Sequence, residues 1–102
     1  MDRSRAIYLI SEKKVQDDEG VWRLSEESRR KAYAQITSVT ASEFFEGGRN
    51  GLNPEYRFTL FFADYHGEEI LEYNGKLYSV YRTFIARKDY IELYTEKKGG
   101  VN

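Results

Sequence analysis

The side chain best suited to acid–base chemistry in this sequence is His66, the single histidine of the chain. Its unperturbed pKa lies near neutral pH, and Asp64, Glu68 and Glu69 are close to it in sequence. A general base also needs a positioned substrate and usually a nucleophile, but the sequence has neither a Gly-x-Ser-x-Gly elbow nor a cysteine. The residue types therefore do not favour an enzyme, and we predict no catalytic residue.

Metal and cofactor chemistry is also poorly supported by the composition. With no cysteine and one histidine, the chain lacks the ligands of the usual zinc sites and cannot form disulfides or iron–sulfur clusters. Pairs of carboxylates could support glycoside hydrolysis if they faced each other about 5 to 10 Å apart in a cleft, but a domain this small has little room for such a cleft. We predict neither a metal nor a cofactor.

Glycines cluster in Gly47-Gly48-Arg49-Asn50-Gly51, which could suggest a phosphate-binding loop. No Lys-Ser/Thr pair follows these glycines, and the predicted helix precedes the loop instead of following it. The cluster is better explained as a flexible loop.

The charge balance argues against tight binding of nucleic acid or membrane. Lys and Arg total 16 against 17 Asp and Glu, a net charge of -1, and the two signs are interspersed along the chain. Tyrosines on a sheet can stack bases only where a positive groove follows the phosphates, so we interpret the abundant tyrosines as core or interface residues. No stretch approaches the roughly 20 apolar residues of a membrane helix, and the start lacks the pattern of a secretory signal.

The elements that would position these residues are strands. A chain of 102 residues corresponds to one domain, here 1–102. Aromatic residues alternate with polar ones from Tyr56 to Ala63, with Tyr56, Phe58, Leu60 and Phe62 on one face, and a second long strand is predicted from Leu77 to Ala86.

The clearest local signal is Asn74-Gly75, a pair typical of a type I′ hairpin turn. It separates the strand pattern 69–73 from the one that begins at Leu77. A third strand, from Tyr90 to Glu96 with Ile91 and Leu93 facing inward, completes a predicted three-strand meander.

The first half of the chain gives weaker patterns. Short strands are predicted at 6–10, 21–24 and 31–39, with a polar loop over 11–20. The stretch 24–33 is ambiguous, because Glu26 with Arg30 and Glu27 with Lys31 have helical spacing. We favour a strand from about Arg29.

One short helix is predicted near residues 41–47, where Thr40-Ala41-Ser42-Glu43 forms a capping box and Gly47 and Gly48 end the helix. The predicted fold class is therefore mainly β: a small antiparallel β-barrel, SH3-like or OB-like, of six or seven strands with this helix.

Several stretches, taken in order, resemble the head closure (head–tail joining, or connector stopper) proteins of tailed bacteriophages. The two main ones are Ser42-Glu43-Phe44-Phe45-Glu46-Gly47-Gly48-Arg49-Asn50-Gly51-Leu52-Asn53-Pro54-Glu55 and Tyr73-Asn74-Gly75-Lys76-Leu77-Tyr78. Similarity extends to Tyr8-Leu9-Ile10, Tyr81-Arg82-Thr83 and 89–94. The likeness covers nearly the whole chain.

The resemblance implies a structural virion protein. Its copies would form a homo-oligomeric, dodecameric ring at the virion neck, between the portal and adaptor proteins of the head and a tail terminator or tail completion protein. Double-stranded DNA would pass through the channel without sequence-specific contact. The implied location is the head–tail interface, and the host cytoplasm during assembly, with no membrane involved.

The resemblance and the glycines together suggest where the ring makes its contacts. We assign the loop that faces the lumen or a neighbouring copy to 46–54 with the two preceding phenylalanines, because its glycines permit more than one backbone path. The residues of this predicted site are Phe44, Phe45, Gly47, Gly48, Arg49, Asn50, Gly51, Leu52 and Pro54. The alternative is a monomeric SH3-like or OB-like adaptor that binds a peptide or single-stranded nucleic acid.

Overall fold

The computed structural model describes residues 5–39, 51 and 53–98, and these residues form a closed antiparallel barrel of six strands in the order β1-β2-β3-β6-β5-β4. The predicted mainly β fold is confirmed, while the helix predicted near 41–47 lies outside the described residues. No helix in the described residues is long and apolar enough to cross a membrane. The elements are β1 (Arg5–Gln16), β2 (Trp22–Ser38), β3 (Pro54–Phe61), a 3-10 helix (Phe62–Asp64), β4 (Ile70–Tyr73), β5 (Lys76–Arg87) and β6 (Tyr90–Lys97).

The barrel has two ends with different connections. Strands β1, β3 and β5 run in one direction and β2, β4 and β6 in the other, because every neighbouring pair is antiparallel. The turns β1–β2 and β5–β6 and the β3–β4 connection therefore lie at one end, which we call the arm end. The β4–β5 turn, the end of β2 and the start of β3 lie at the opposite end, the loop end.

The core is built from the inward faces of all six strands. Aliphatic side chains fill most of it, and Phe58 from β3 and Tyr78 from β5 are its buried aromatic residues. Phe58 makes edge or tilted ring contacts with Tyr56, Tyr73 and Tyr78, and Tyr78 also contacts Tyr56, at centroid distances of 5.7 to 6.0 Å. Burial, and the nearby Glu55, Tyr56 and Tyr73, raise the pKa of Tyr78 to about 12.

Three sequence predictions about the second half of the chain are confirmed. Asn74 and Gly75 both have positive φ, 54° and 78°, as a type I′ turn requires. Strands β4, β5 and β6 are neighbours in the predicted meander. Along β6, Ile91 and Leu93 are buried while the residues between them are only partly covered, which is the predicted alternation.

The first half of the chain differs from the prediction. The polar loop expected over 11–20 is wrong: β1 continues to Gln16 and pairs with β2 from Trp22 onward. The strands predicted at 21–24 and 31–39 are one continuous strand, with no helix turn between them. The side chains of this two-stranded ribbon have little apolar periodicity. The sequence pattern therefore did not predict the pairing of β1 with β2 here, which depends on backbone hydrogen bonds.

This ribbon projects from the barrel, and we call its residues 11–28 the arm. Strand β4 has four residues and pairs with β1 only at Tyr8, Leu9 and Ile10. Beyond Ile10, β1 has β2 as its only strand partner among the described residues. Six further residues of strand extend about 20 Å, consistent with a longest molecular dimension of 47 Å.

Two details of β3 and β5 also differ from the alternating pattern. Phe62, which the alternation places on the same strand face as Phe58, lies in the 3-10 helix and is exposed, because β3 ends at Phe61. Strand β5 is interrupted by register shifts at 80–82 and 85–87. Its second half outruns β4, so Phe84 and Ile85 are exposed.

Candidate interaction surfaces

The predicted contact loop lies mostly outside the described residues. Gly51 and Pro54 are described: Gly51 is exposed with a φ of +78°, and Pro54 begins β3 and is buried. The structure therefore gives no geometry for most of the predicted site. Its members outside the described residues are Phe44, Phe45, Gly47, Gly48, Arg49, Asn50 and Leu52.

The two ends of this segment are held together at the loop end. Ser38 and Tyr56 are cross-strand partners in the β2–β3 ladder, and the Val39 amide donates to the Glu55 carbonyl at 3.3 Å. The Asn53 amide donates to Oε1 of Glu96 at 3.1 Å. The described residues on either side of this segment are therefore held close together at the loop end.

The tip of the arm is organised by Asp17. Its Oδ1 accepts hydrogen bonds from the amides of Glu19 and Val21, each at 2.9 Å, and its Oδ2 accepts one from Nε of Arg23 at 2.7 Å. The hydrogen bonds from Arg23 and Val21 lower the pKa of Asp17. Gly20, with a φ of 84°, completes a turn in a conformation that other residues rarely adopt.

The arm presents apolar and acidic side chains to solvent. Trp22, the only tryptophan of the chain, is 65% exposed, and Val15 and Val21 are also exposed. Asp18 and Glu19 at the tip are exposed and form no ion pair with the described residues. A large exposed aromatic beside unpaired carboxylates is typical of a contact surface.

A second feature lies on the outside of the barrel, and we call it the outer cleft. It has a volume of about 370 Å³ and contains two guanidinium groups, those of Arg57 on β3 and Arg87 at the end of β5. Nε of Arg57 is shielded from solvent and has no hydrogen-bond partner among the described residues. The lining residues are Gln35, Arg57, Thr59, Ala86, Arg87, Tyr90 and Glu92.

Close to His66 in sequence, the carboxylate of Glu68 is held by structural hydrogen bonds. The His66 side chain is exposed, and its backbone amide donates to Oε1 of Glu68 at 2.8 Å. Arg30 donates to the other oxygen of Glu68 at 2.6 Å. Burial alone would raise the pKa of Glu68, but these hydrogen bonds outweigh it and lower the pKa. An ionised, fully engaged carboxylate stabilises structure and is not suited to act as a general acid.

No group of three or more His, Cys, Asp or Glu residues in the described part of the chain could hold a metal ion. Comparison of the sequence with models of known protein families and with curated proteins finds no match.

The sequence did not identify the arm or the outer cleft. Arg57 and Arg87 are thirty positions apart and come together only when β6 is placed between β3 and β5. For the arm there was a signal: Val21 and Trp22 are adjacent large apolar residues that follow a polar stretch. Without a predicted partner strand, they had no assigned face.

Proposed function

We propose that this chain is a structural protein of bacteriophage virion assembly, a ring-forming head–tail connector that closes the DNA-filled head and provides the docking surface for the tail. The sequence resemblance to head closure proteins supports this proposal, and the small antiparallel barrel is the fold that the resemblance implies. The proposed partners are other copies of the chain, portal or adaptor proteins, and a tail terminator or tail completion protein.

The observation that carries the proposal is the difference between the two ends of the barrel. The arm end bears a two-stranded ribbon, and at the loop end the chain leaves the barrel after β2 and re-enters it at β3, where Ser38 and Tyr56 are paired. A connector must contact one assembly above it and another below it, so it needs two separate and dissimilar surfaces. The arm at one end and the short β4–β5 turn at the other make the two ends of the barrel dissimilar.

The charge of the chain supports passage of DNA without capture. With 16 basic and 17 acidic residues, a ring of copies would neutralise few phosphates, and phosphate neutralisation supplies most of the sequence-independent affinity of proteins for DNA. In the proposed neck, the segment 46–54 faces the lumen or a neighbouring copy. Retention of DNA by filled heads that carry variants of this segment distinguishes narrowing of the channel from bridging between subunits.

Deletion of Gly47–Gly51 tests this assignment. The expected result is a folded monomer with an unchanged thermal transition, together with heads that lose DNA or fail to join tails. Normal infectious particles from the Gly47–Gly51 deletion would contradict the assignment of the loop.

Sedimentation separates a connector from the alternative function. We expect the free chain to bind portal complexes as a ring, and to show no tight binding of short peptides or single-stranded oligonucleotides. Tight binding of a peptide or oligonucleotide by the free monomer, without assembly on portals, would instead support a monomeric adaptor.

A further inference from the structure

The outer cleft has an unmet need for a negatively charged partner. Arg57 has a guanidinium Nε that is hidden from water without a hydrogen-bond acceptor, and leaving such a group unpaired is unfavourable. Arg87 forms no ion pair with the described residues. The one acid among the lining residues, Glu92, already accepts a hydrogen bond from the Tyr94 hydroxyl at 2.8 Å. A carboxylate from outside would complete the site.

The rim of this cleft is apolar and is not covered. Phe84 is the cross-strand partner of Glu92 and is 57% exposed. Beyond Val80, β5 has β6 as its only strand partner among the described residues. Between its two register shifts, β5 is regular strand, and the outer edge of its stretch 83–85 offers backbone hydrogen-bonding groups next to the cleft.

The arm has the complementary chemistry. Asp18 and Glu19 at its tip are exposed carboxylates without ion-pair partners among the described residues, and Trp22 is a large exposed aromatic beside them. Asp17 is not available to bind an external guanidinium, because both of its carboxylate oxygens accept hydrogen bonds within the arm. The acidic tip of the arm is complementary to the two guanidinium groups of the outer cleft, and its exposed aromatic side chain is complementary to Phe84.

We propose that the arm of one copy docks in the outer cleft of a second copy of this chain, with Asp18 and Glu19 facing Arg57 and Arg87, and with Trp22 against Phe84. This inference rests on the proposed ring, and it names the two surfaces that join neighbouring copies. The contact is heterologous, since each copy uses its arm on one neighbour and its cleft on the other, as a closed ring requires.

Cross-linking between single-cysteine variants tests the contact directly. The natural chain has no cysteine, so each variant carries one thiol. Glu19→Cys protein is mixed with Lys88→Cys protein and treated with a short bis-maleimide. We expect several-fold more heterodimer than when Glu19→Cys is mixed with Lys76→Cys, whose lysine is equally exposed but begins β5 at the opposite end. Equal yields would overturn the proposal, as would predominant Glu19–Glu19 cross-links.

Charge reversal provides a second test on the full chain. Asp18→Arg with Glu19→Arg, or Arg87→Glu alone, should weaken self-association at least about tenfold in sedimentation, equivalent to about 1.4 kcal/mol. Combining all three changes in one chain restores opposite charges at position 87, while Arg57 still faces an added arginine, so the association should recover in part. Because Trp22 is the only tryptophan, its emission should shift to shorter wavelength as natural chains associate, and should not shift for Arg87→Glu.

The outcomes distinguish this contact from the proposed function. Selective Glu19–Lys88 cross-linking without any binding to portals would leave the contact standing and refute the connector. Ring assembly on portals without selective cross-linking, either free or on the portal, would support the connector and refute the arm–cleft contact. A charge-reversal triple variant that associates no better than its parents would also count against the contact.

Discussion

The guanidinium of Arg30 on β2 and the carboxylate of Glu68, in the connection between β3 and β4, approach to 2.6 Å at the arm end. The Glu68 side chain is 5% exposed, and that of Arg30 is 34% exposed. Arg30 also donates to the Asp64 carbonyl at 2.9 Å. One cation therefore ties the β3–β4 connection to the strand that continues into the arm.

Glu68 should make stability depend on acid pH. Its pKa in the folded chain is below the ordinary value of 4.5, so its contribution is complete above about pH 4.5 and is lost as pH falls through the folded-state pKa. Glu68→Gln should lower the free energy of unfolding by about 2 kcal/mol at neutral pH. Urea titrations at several pH values measure this, and the difference from the natural chain should shrink in acid.

The matched control for that prediction is Glu72→Gln. Glu72 pairs with Arg29 at 2.6 Å, but the Arg29 side chain is 45% exposed, and such surface pairs contribute less than about 1 kcal/mol. Equal losses for the two variants, or a pH-independent loss for Glu68→Gln, would contradict the role given to Glu68.

Alanine substitution of Phe58 and of Phe84 should lower the free energy of unfolding by very different amounts, although both residues lie in strands. Phe58 is fully buried and contacts Tyr56, Tyr73 and Tyr78, so Phe58→Ala should cost about 3 to 5 kcal/mol. Phe84 is exposed, and Phe84→Ala should change stability by no more than about 0.5 kcal/mol. Thermal or denaturant unfolding of both variants checks this, and a large loss for Phe84→Ala would show that β5 packs differently.

The β4–β5 turn should require glycine for conformational reasons alone. Gly75 has a φ of 78°, and no atom lies within 4 Å of the position a Cβ would take. Gly75→Ala should therefore cost about 1 kcal/mol through backbone strain, with no steric clash. Asn74→Gly, which keeps a residue that tolerates positive φ, is the control and should cost less. Loss of folding in Gly75→Ala would indicate a contact that the structure lacks.

Tyr78 should limit stability at alkaline pH. Its folded-state pKa of about 12 exceeds the value near 10 of an exposed tyrosine, so the unfolded chain loses this proton first. Stability should fall as pH rises from about 10 toward 12, and Tyr78→Phe should reduce that dependence. Tyrosinate absorbance during alkaline titration measures the effect, and ionisation of all tyrosines near pH 10 in the folded chain would contradict it.

The sequence predicted elements whose signal is local. The positive φ angles of Asn74 and Gly75 and the burial of Ile91 and Leu93 follow from residue type and period. The length of β1 beyond Ile10 did not follow, because residues 11–16 are exposed on both faces and alternation exists only where one face is buried. The outer cleft could not be predicted for another reason. Arg57 and Arg87 become neighbours through the order of the strands in the barrel, and the periodicity of the sequence does not determine that order.

The arm contributes no residue to the hydrophobic core among its described side chains. The backbone hydrogen bonds between its two strands form with most types of side chain. Mutational drift along it is thus uncoupled from the integrity of the barrel. Substitutions at Asp18, Glu19 and Trp22 can therefore accumulate to match a changing partner surface, without any change in the residues of the barrel interior.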